Sequence, residues 1–197
     1  MNTNAGPRAA TRGRTWFSRG NRLVLAGLVT AAAALSLAVA QVALAGPPAP
    51  SVPDQIKVDD GNKVFLVGHA TGVQIYTCDG STWSSAVPRA KLYDDHGKLI
   101  ITHFRGPTWQ AADGSQALGT VVDHVNLDRT AVDWVLLSTT TTPGRDGDRL
   151  VDTTFIQRIN TTGGHTPPAA DCNVATAGTV VEVPYTADYF FWKHTGA

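Results

Sequence analysis

The chain has 197 residues, 43% of them apolar and 16% charged, with 16 basic and 16 acidic side chains and two cysteines. Five of the basic residues, Arg8, Arg12, Arg14, Arg19 and Arg22, fall before residue 46 and no acid does, so the remainder carries a net charge of −5. A mildly acidic domain with scattered Lys and Arg lacks the basic stripe that a phosphate backbone requires, which excludes nucleic acid as an expected partner.

The arginine-rich start leads into an apolar run from Leu23 to Ala45 that ends Ala43-Leu44-Ala45, the three-part pattern of a secretory signal peptide. Small side chains at 43 and 45 suit the signal peptidase pocket and place cleavage after Ala45, so residues 1–45 are expected as a signal peptide and the mature protein as secreted. The alternative is an uncleaved N-terminal membrane anchor, because an apolar helix over 23–45, at about 1.5 Å per residue, is long enough to cross a bilayer. Thr30, Ser36 and Gln41 within the run favour cleavage, after which no membrane partner is expected. Residues 46–55, rich in Gly, Pro, Ala and Ser, read as a flexible tether, and 56–197 as the domain.

Within that domain, short runs of Val, Ile, Leu, Thr and aromatics alternate with Gly, Pro and Asp clusters, the signature of strands joined by turns. Eight runs are expected as strands: Lys63 to Val67, Val73 to Cys78, Ala90 to Tyr93, Lys98 to Phe104, Leu118 to Val125, Val132 to Thr140, Leu150 to Ile159 and Thr179 to Val183. Asp95-His96-Gly97, Asp113-Gly114, Pro143-Gly144, Asp146-Gly147 and Gly163-Gly164 supply turns between them. No stretch keeps a 3.6-residue apolar period over helical length, so the fold class is all-β: a single-domain sandwich or barrel of about eight strands. Cys78 and Cys172 are expected to pair in an oxidising compartment, closing a loop that stabilises the fold by about 4 to 5 kcal/mol in the chain-entropy account.

In chain order, His69-Ala70-x-Gly72-Val73-Gln74-Ile75-Tyr76-x-Cys78, His103-x-x-Gly106-Pro107-Thr108-Trp109, Asp113-Gly114-Ser115, Ile156-Gln157-Arg158, Gly163-Gly164, Cys172 and Val183-Pro184-Tyr185 resemble the secreted bacterial and fungal proteins grouped as domain of unknown function 3455. The resemblance spans essentially the whole chain after residue 45 and implies an exported β-rich domain with both cysteines in matching places, but no established activity. Some fungal members carry a malate dehydrogenase label. A dinucleotide site needs a Gly-x-Gly-x-x-Gly turn between a strand and a helix, and this chain has neither the motif nor the helical pattern.

Strand alternation puts Gln74 and Tyr76 on the face of Cys78, His103 on that of Leu99 and Ile101, and Gln157 on that of Phe155, with Arg158 opposite. The first four are expected to point inward, either satisfying one another and nearby backbone or lining a pocket for a small ligand, with Trp109 or Trp83 as an aromatic wall. The ligand-binding candidates are therefore His69, Gln74, Tyr76, His103, Trp109, Asp113, Gln157, Arg158 and Tyr185. Gly106-Pro107-Thr108-Trp109 reads as a tight turn presenting Trp109, which could stack on a sugar ring if exposed. His69, His103, His124, Asp123 and Asp113 form no His-x-His, His-Glu-x-x-His or calcium-loop pattern, so no metal and no other cofactor is expected. No Gly-x-Ser-x-Gly elbow is present, Asp113-Gly114-Ser115 is first a turn, and no catalytic residue is assigned. The reading is a secreted module that binds a small molecule or carbohydrate. Two alternatives stay open: a secreted hydrolase or metal-dependent enzyme using the His69/His103/Asp113 region, and a structural protein of the cell envelope.

Overall fold

Eight antiparallel strands, each hydrogen-bonded to its sequence neighbours, close into a barrel when the last returns to pair with the first. The structure is a computed structural model that describes residues 46–196, so the expected signal peptide lies outside the described residues. The strands are β1 (Asn62–Thr77), β2 (Val87–Tyr93), β3 (Leu99–Phe104), β4 (Thr108–Ala111), β5 (Gln116–Val125), β6 (Trp134–Thr142), β7 (Phe155–Gly163) and β8 (Val180–His194). The three described helices are 3₁₀ turns of three residues each, and no described helix is long and apolar enough to cross a membrane.

The expected all-β fold is found, with strands divided differently. The runs expected at 63–67 and 73–78 are one 16-residue strand, because Gly68 and Gly72 lie mid-strand rather than in a turn. A Cβ on Gly72 would lie 2.3 Å from the Arg89 carbonyl oxygen and 2.5 Å from the Ala90 Cα, so this glycine lets β1 and β2 approach. Gly106-Pro107-Thr108-Trp109 runs straight into β4, and Trp109 points into the barrel instead of out from a turn. Leu150 is a loop residue, since β7 begins only at Phe155, while β8 continues past Pro184 to His194.

Alternation along each strand sends one set of side chains inward and the other out. Leu92, Ile101, Trp109, Ala117, Leu137, Ile156, Tyr185, Tyr189 and Phe191 fill the interior. Leu150 joins them from the β6–β7 loop, closing one end of the barrel. A second apolar cluster lies on the outer face of β6, β7 and β8, where Leu136, Ile159 and Trp192 pack against Ile56 and Val58. Val52, within the expected tether, packs against the same cluster. The cysteines form the expected disulfide, Cys78–Cys172, which ties the end of β1 to the loop before β8 across 94 residues.

Candidate functional site

An eight-stranded barrel is just wide enough for side chains to fill it or to leave room for one small ligand. Both cases occur here, at opposite ends. Leu92, Ile101, Leu150, Ile156 and Phe191 pack one end solid. At the other, a cavity of about 310 Å³ is lined by Gln74 from β1, His103 from β3, Trp109 from β4, Val121 from β5, Arg158 from β7 and Tyr189 from β8. Glycines let the barrel wall close in around it: Gly72 lies against Ala90 of β2, and a Cβ on Gly119 would lie 2.9 Å from the Trp109 ring. The floor is aromatic. His103 stacks on Trp109 with ring centroids 4.2 Å apart and planes 9° from parallel, and Tyr189 meets both rings edge-on. Val121, 56% exposed, stands at the mouth.

His103 is 2% exposed, and its Nδ1 donates to the Thr108 carbonyl oxygen at 2.9 Å, which fixes the tautomer and leaves the Nε2 lone pair as an acceptor. Burial drives its pKa down to about 3, so the ring is neutral across the physiological range. Gln74 and Trp109 are each 1% exposed, and the Gln74 Nε2 and Trp109 Nε1 donors have no hydrogen-bond partner. Arg158 spends two donors, Nε and Nη2, on the Asp133 carbonyl oxygen at 3.1 and 2.9 Å. Beside the cavity the Tyr185 and Tyr189 hydroxyls meet at 3.3 Å, and burial raises the Tyr185 pKa strongly. Tyr76 donates to the Gly164 carbonyl oxygen at 2.7 Å, and its pKa is raised by burial.

The family model described as Protein of unknown function (DUF3455) matches residues 59–193, from just before β1 almost to the end of β8. The chain belongs to this family. No curated protein and no solved structure matches it. The DUF3455 match therefore covers all of the barrel but His194 and every residue of the cavity, without naming an activity for either.

Of the nine ligand-binding candidates in this DUF3455 chain, Gln74, His103, Trp109 and Arg158 line the cavity, and Tyr76 and Tyr185 lie on the inner face next to them. The other three are elsewhere. His69 is on the outer surface, its two ring nitrogens 2.7 Å from Asp188 and 2.8 Å from Asp95, and these carboxylates raise its pKa. Asp113 is in the β4–β5 turn, where its carboxylate accepts from Ser115 Oγ at 2.6 Å and from the Arg149 backbone at 2.8 Å. Ser115 Oγ in turn accepts from the Leu150 backbone, so this turn positions the residue that plugs the closed end.

Gln157 corrects the expectation that it points inward with Gln74. It faces outward under the N-terminal segment, where Nε2 donates to the Ile56 carbonyl oxygen at 2.6 Å and Oε1 accepts from Trp192 Nε1 at 2.9 Å. Its neighbour Arg158 takes the inward position. Of the network with one another and with nearby backbone expected for Gln74, Tyr76, His103 and Gln157, the backbone part is found for three, which bond to carbonyls, while none bonds another of the four and Gln74 Nε2 bonds to nothing.

The enzyme alternative required His69, His103 and Asp113 in one region, and the structure disperses them between the outer surface, the cavity and the opposite end. Trp109 is too buried to serve as an exposed sugar platform. Trp83 is half-buried and donates from Nε1 to the Pro168 carbonyl oxygen, beside the disulfide-bonded segments. Among the described residues no three His, Cys, Asp or Glu side chains gather as metal ligands. Tyr189 and Leu137 of the cavity escaped the sequence reading. The run Tyr189-Phe190-Phe191-Trp192 holds the signal for the first, but it lies beyond Val183, where the last expected strand ends.

Proposed function

We propose that the barrel binds a small molecule in its open end, between the aromatic floor of Trp109 and Tyr189 and the rim at Val121. The observation that carries this reading is a cavity with largely apolar walls, Val135, Leu137 and aromatic rings among them, in which two lining residues, Gln74 and Trp109, each hold a buried donor, Nε2 and Nε1, without a partner. A buried donor left unpaired costs about 1 to 3 kcal/mol, and such groups call for a partner that completes them. Apolar walls with a few convergent polar groups are also the common composition of ligand sites, whose volumes start at about 300 Å³.

The test is an NMR titration of the protein with small aromatic and aliphatic fragments, following the Trp109 indole N–H and the Gln74 side-chain amide. Binding in the cavity shifts both resonances at once, and Val121→Trp, which narrows the mouth, abolishes the shifts without changing the rest of the spectrum. If fragments move other resonances and leave these two fixed, the cavity is not the binding site.

A further inference from the structure

We infer that the ligand of this cavity carries a carboxylate on a compact apolar body. The inference rests on the binding reading above and deepens it from charge. The chain after residue 45 holds 16 acids against 11 bases, yet the cavity is lined by two arginines, Arg105 and Arg158, and by no acidic side chain. Arg89, which bonds Glu182 across the outer face, is the one Lys or Arg side chain with a carboxylate within 4.0 Å among the described residues. Arg158 has no carboxylate within 4.0 Å among the described residues.

A half-buried guanidinium facing apolar walls pays for lost hydration unless an anion replaces it. The Asp133 carbonyl takes two of the five guanidinium N–H groups. The remaining three are free for acceptors, and a planar fork matches a carboxylate better than any neutral oxygen. Gln74 Nε2 and Trp109 Nε1 are donors as well, so the buried unpartnered donors of the site ask for acceptor oxygens. His103 adds no charge because it is neutral, and its Nε2 admits one hydroxyl donor. The body of the ligand meets Trp109, Val135, Leu137 and Tyr189, which suits one aromatic ring or a short aliphatic chain.

The test compares benzoate with benzyl alcohol, similar in size and different in charge, by calorimetry and by the Trp109 indole resonance at neutral pH and low salt. The expected result is that benzoate binds about tenfold tighter or better, that added salt erodes this preference, and that Arg158→Gln removes it while benzyl alcohol still shifts Trp109. The wild-type comparison needs no variant, so it stands even if Arg158→Gln does not fold. Equal affinity for the two probes overturns the carboxylate inference and leaves the cavity reading intact. If neither probe perturbs Trp109, the cavity reading falls and this inference falls with it.

Discussion

Gln74 and Gln157 are the same residue type, both essentially unexposed and both within barrel strands, yet their substitution by methionine should move stability in opposite directions. The Gln74 amide nitrogen has no partner, so Gln74→Met replaces a buried unsatisfied donor with an unbranched apolar side chain of similar length and removes a penalty of about 1 to 3 kcal/mol. Gln157→Met strips partners from two buried groups, the Ile56 carbonyl oxygen and Trp192 Nε1–H, at about 1 to 3 kcal/mol each. For a domain of this size each kcal/mol moves the melting temperature by about 2 to 4 °C. Urea titrations followed by circular dichroism, with matching thermal scans, measure both differences against wild type. Gln74→Met should raise the midpoint and weaken fragment binding together, the exchange expected where a site keeps a polar group at the expense of stability. If Gln74→Met destabilises as much as Gln157→Met, the Gln74 amide is satisfied in the native state and the cavity is internal scaffolding rather than a site.

Two further outcomes follow from the same geometry. Reducing Cys78–Cys172, or replacing both with serine, frees a 94-residue separation and should lower the unfolding free energy by about 4 to 5 kcal/mol, read as a lower urea midpoint in the presence of dithiothreitol. His103 is neutral in the native state down to about pH 3 but takes a proton near pH 6.5 when unfolded, so the unfolded chain binds more protons between those values and stability must fall as pH falls through that window. Between pH 6.5 and pH 4 the loss is on the order of 3 kcal/mol for this buried group. It appears as the difference between wild type and His103→Phe measured from pH 7 to pH 4, and parallel curves for the two proteins refute it.

Eight strand-like runs are visible in the sequence, and the barrel has eight strands, but the two sets of eight are not the same. Glycine accounts for one mismatch. Gly68 and Gly72 interrupt the β-branched pattern and split the expected strand in two, whereas in the barrel they stand opposite Tyr189 and Tyr185 across the β1–β8 ladder, and a Cβ on them would press on Leu92 and on the Arg89–Ala90 backbone of β2. Proline accounts for another, because Val183-Pro184 ends the apolar alternation that β8 in fact carries ten residues further, to His194. The missing strand, β4, is only four residues long, too short for alternation to register against the Gly106-Pro107 turn signal.

The polar site residues were legible to the extent that one face of their strand is wet. In β1 the outward positions around Gln74 and Tyr76 are more exposed than these two, so alternation alone assigns them to the interior. In β7 both faces are dry, Ile156 inside the barrel and Gln157 and Ile159 outside beneath the N-terminal segment, so alternation correctly sets Gln157 and Arg158 on opposite faces and cannot say which is inside. What breaks that symmetry is long-range pairing. In β1 and β8, Gly68-x-Ala70-x-Gly72 runs antiparallel to Tyr185-x-Ala187-x-Tyr189, glycine against tyrosine at the two outer steps and alanine against alanine between them. This complementarity fixes the inner face of β8. The β7–β8 register then places Arg158 opposite Tyr189 and Gln157 opposite Phe190, so the arginine shares the tyrosine's interior and the glutamine shares the outer cover. A guanidinium therefore reaches the cavity through the register of two strands far apart in sequence, information that no local pattern around residues 156–158 contains.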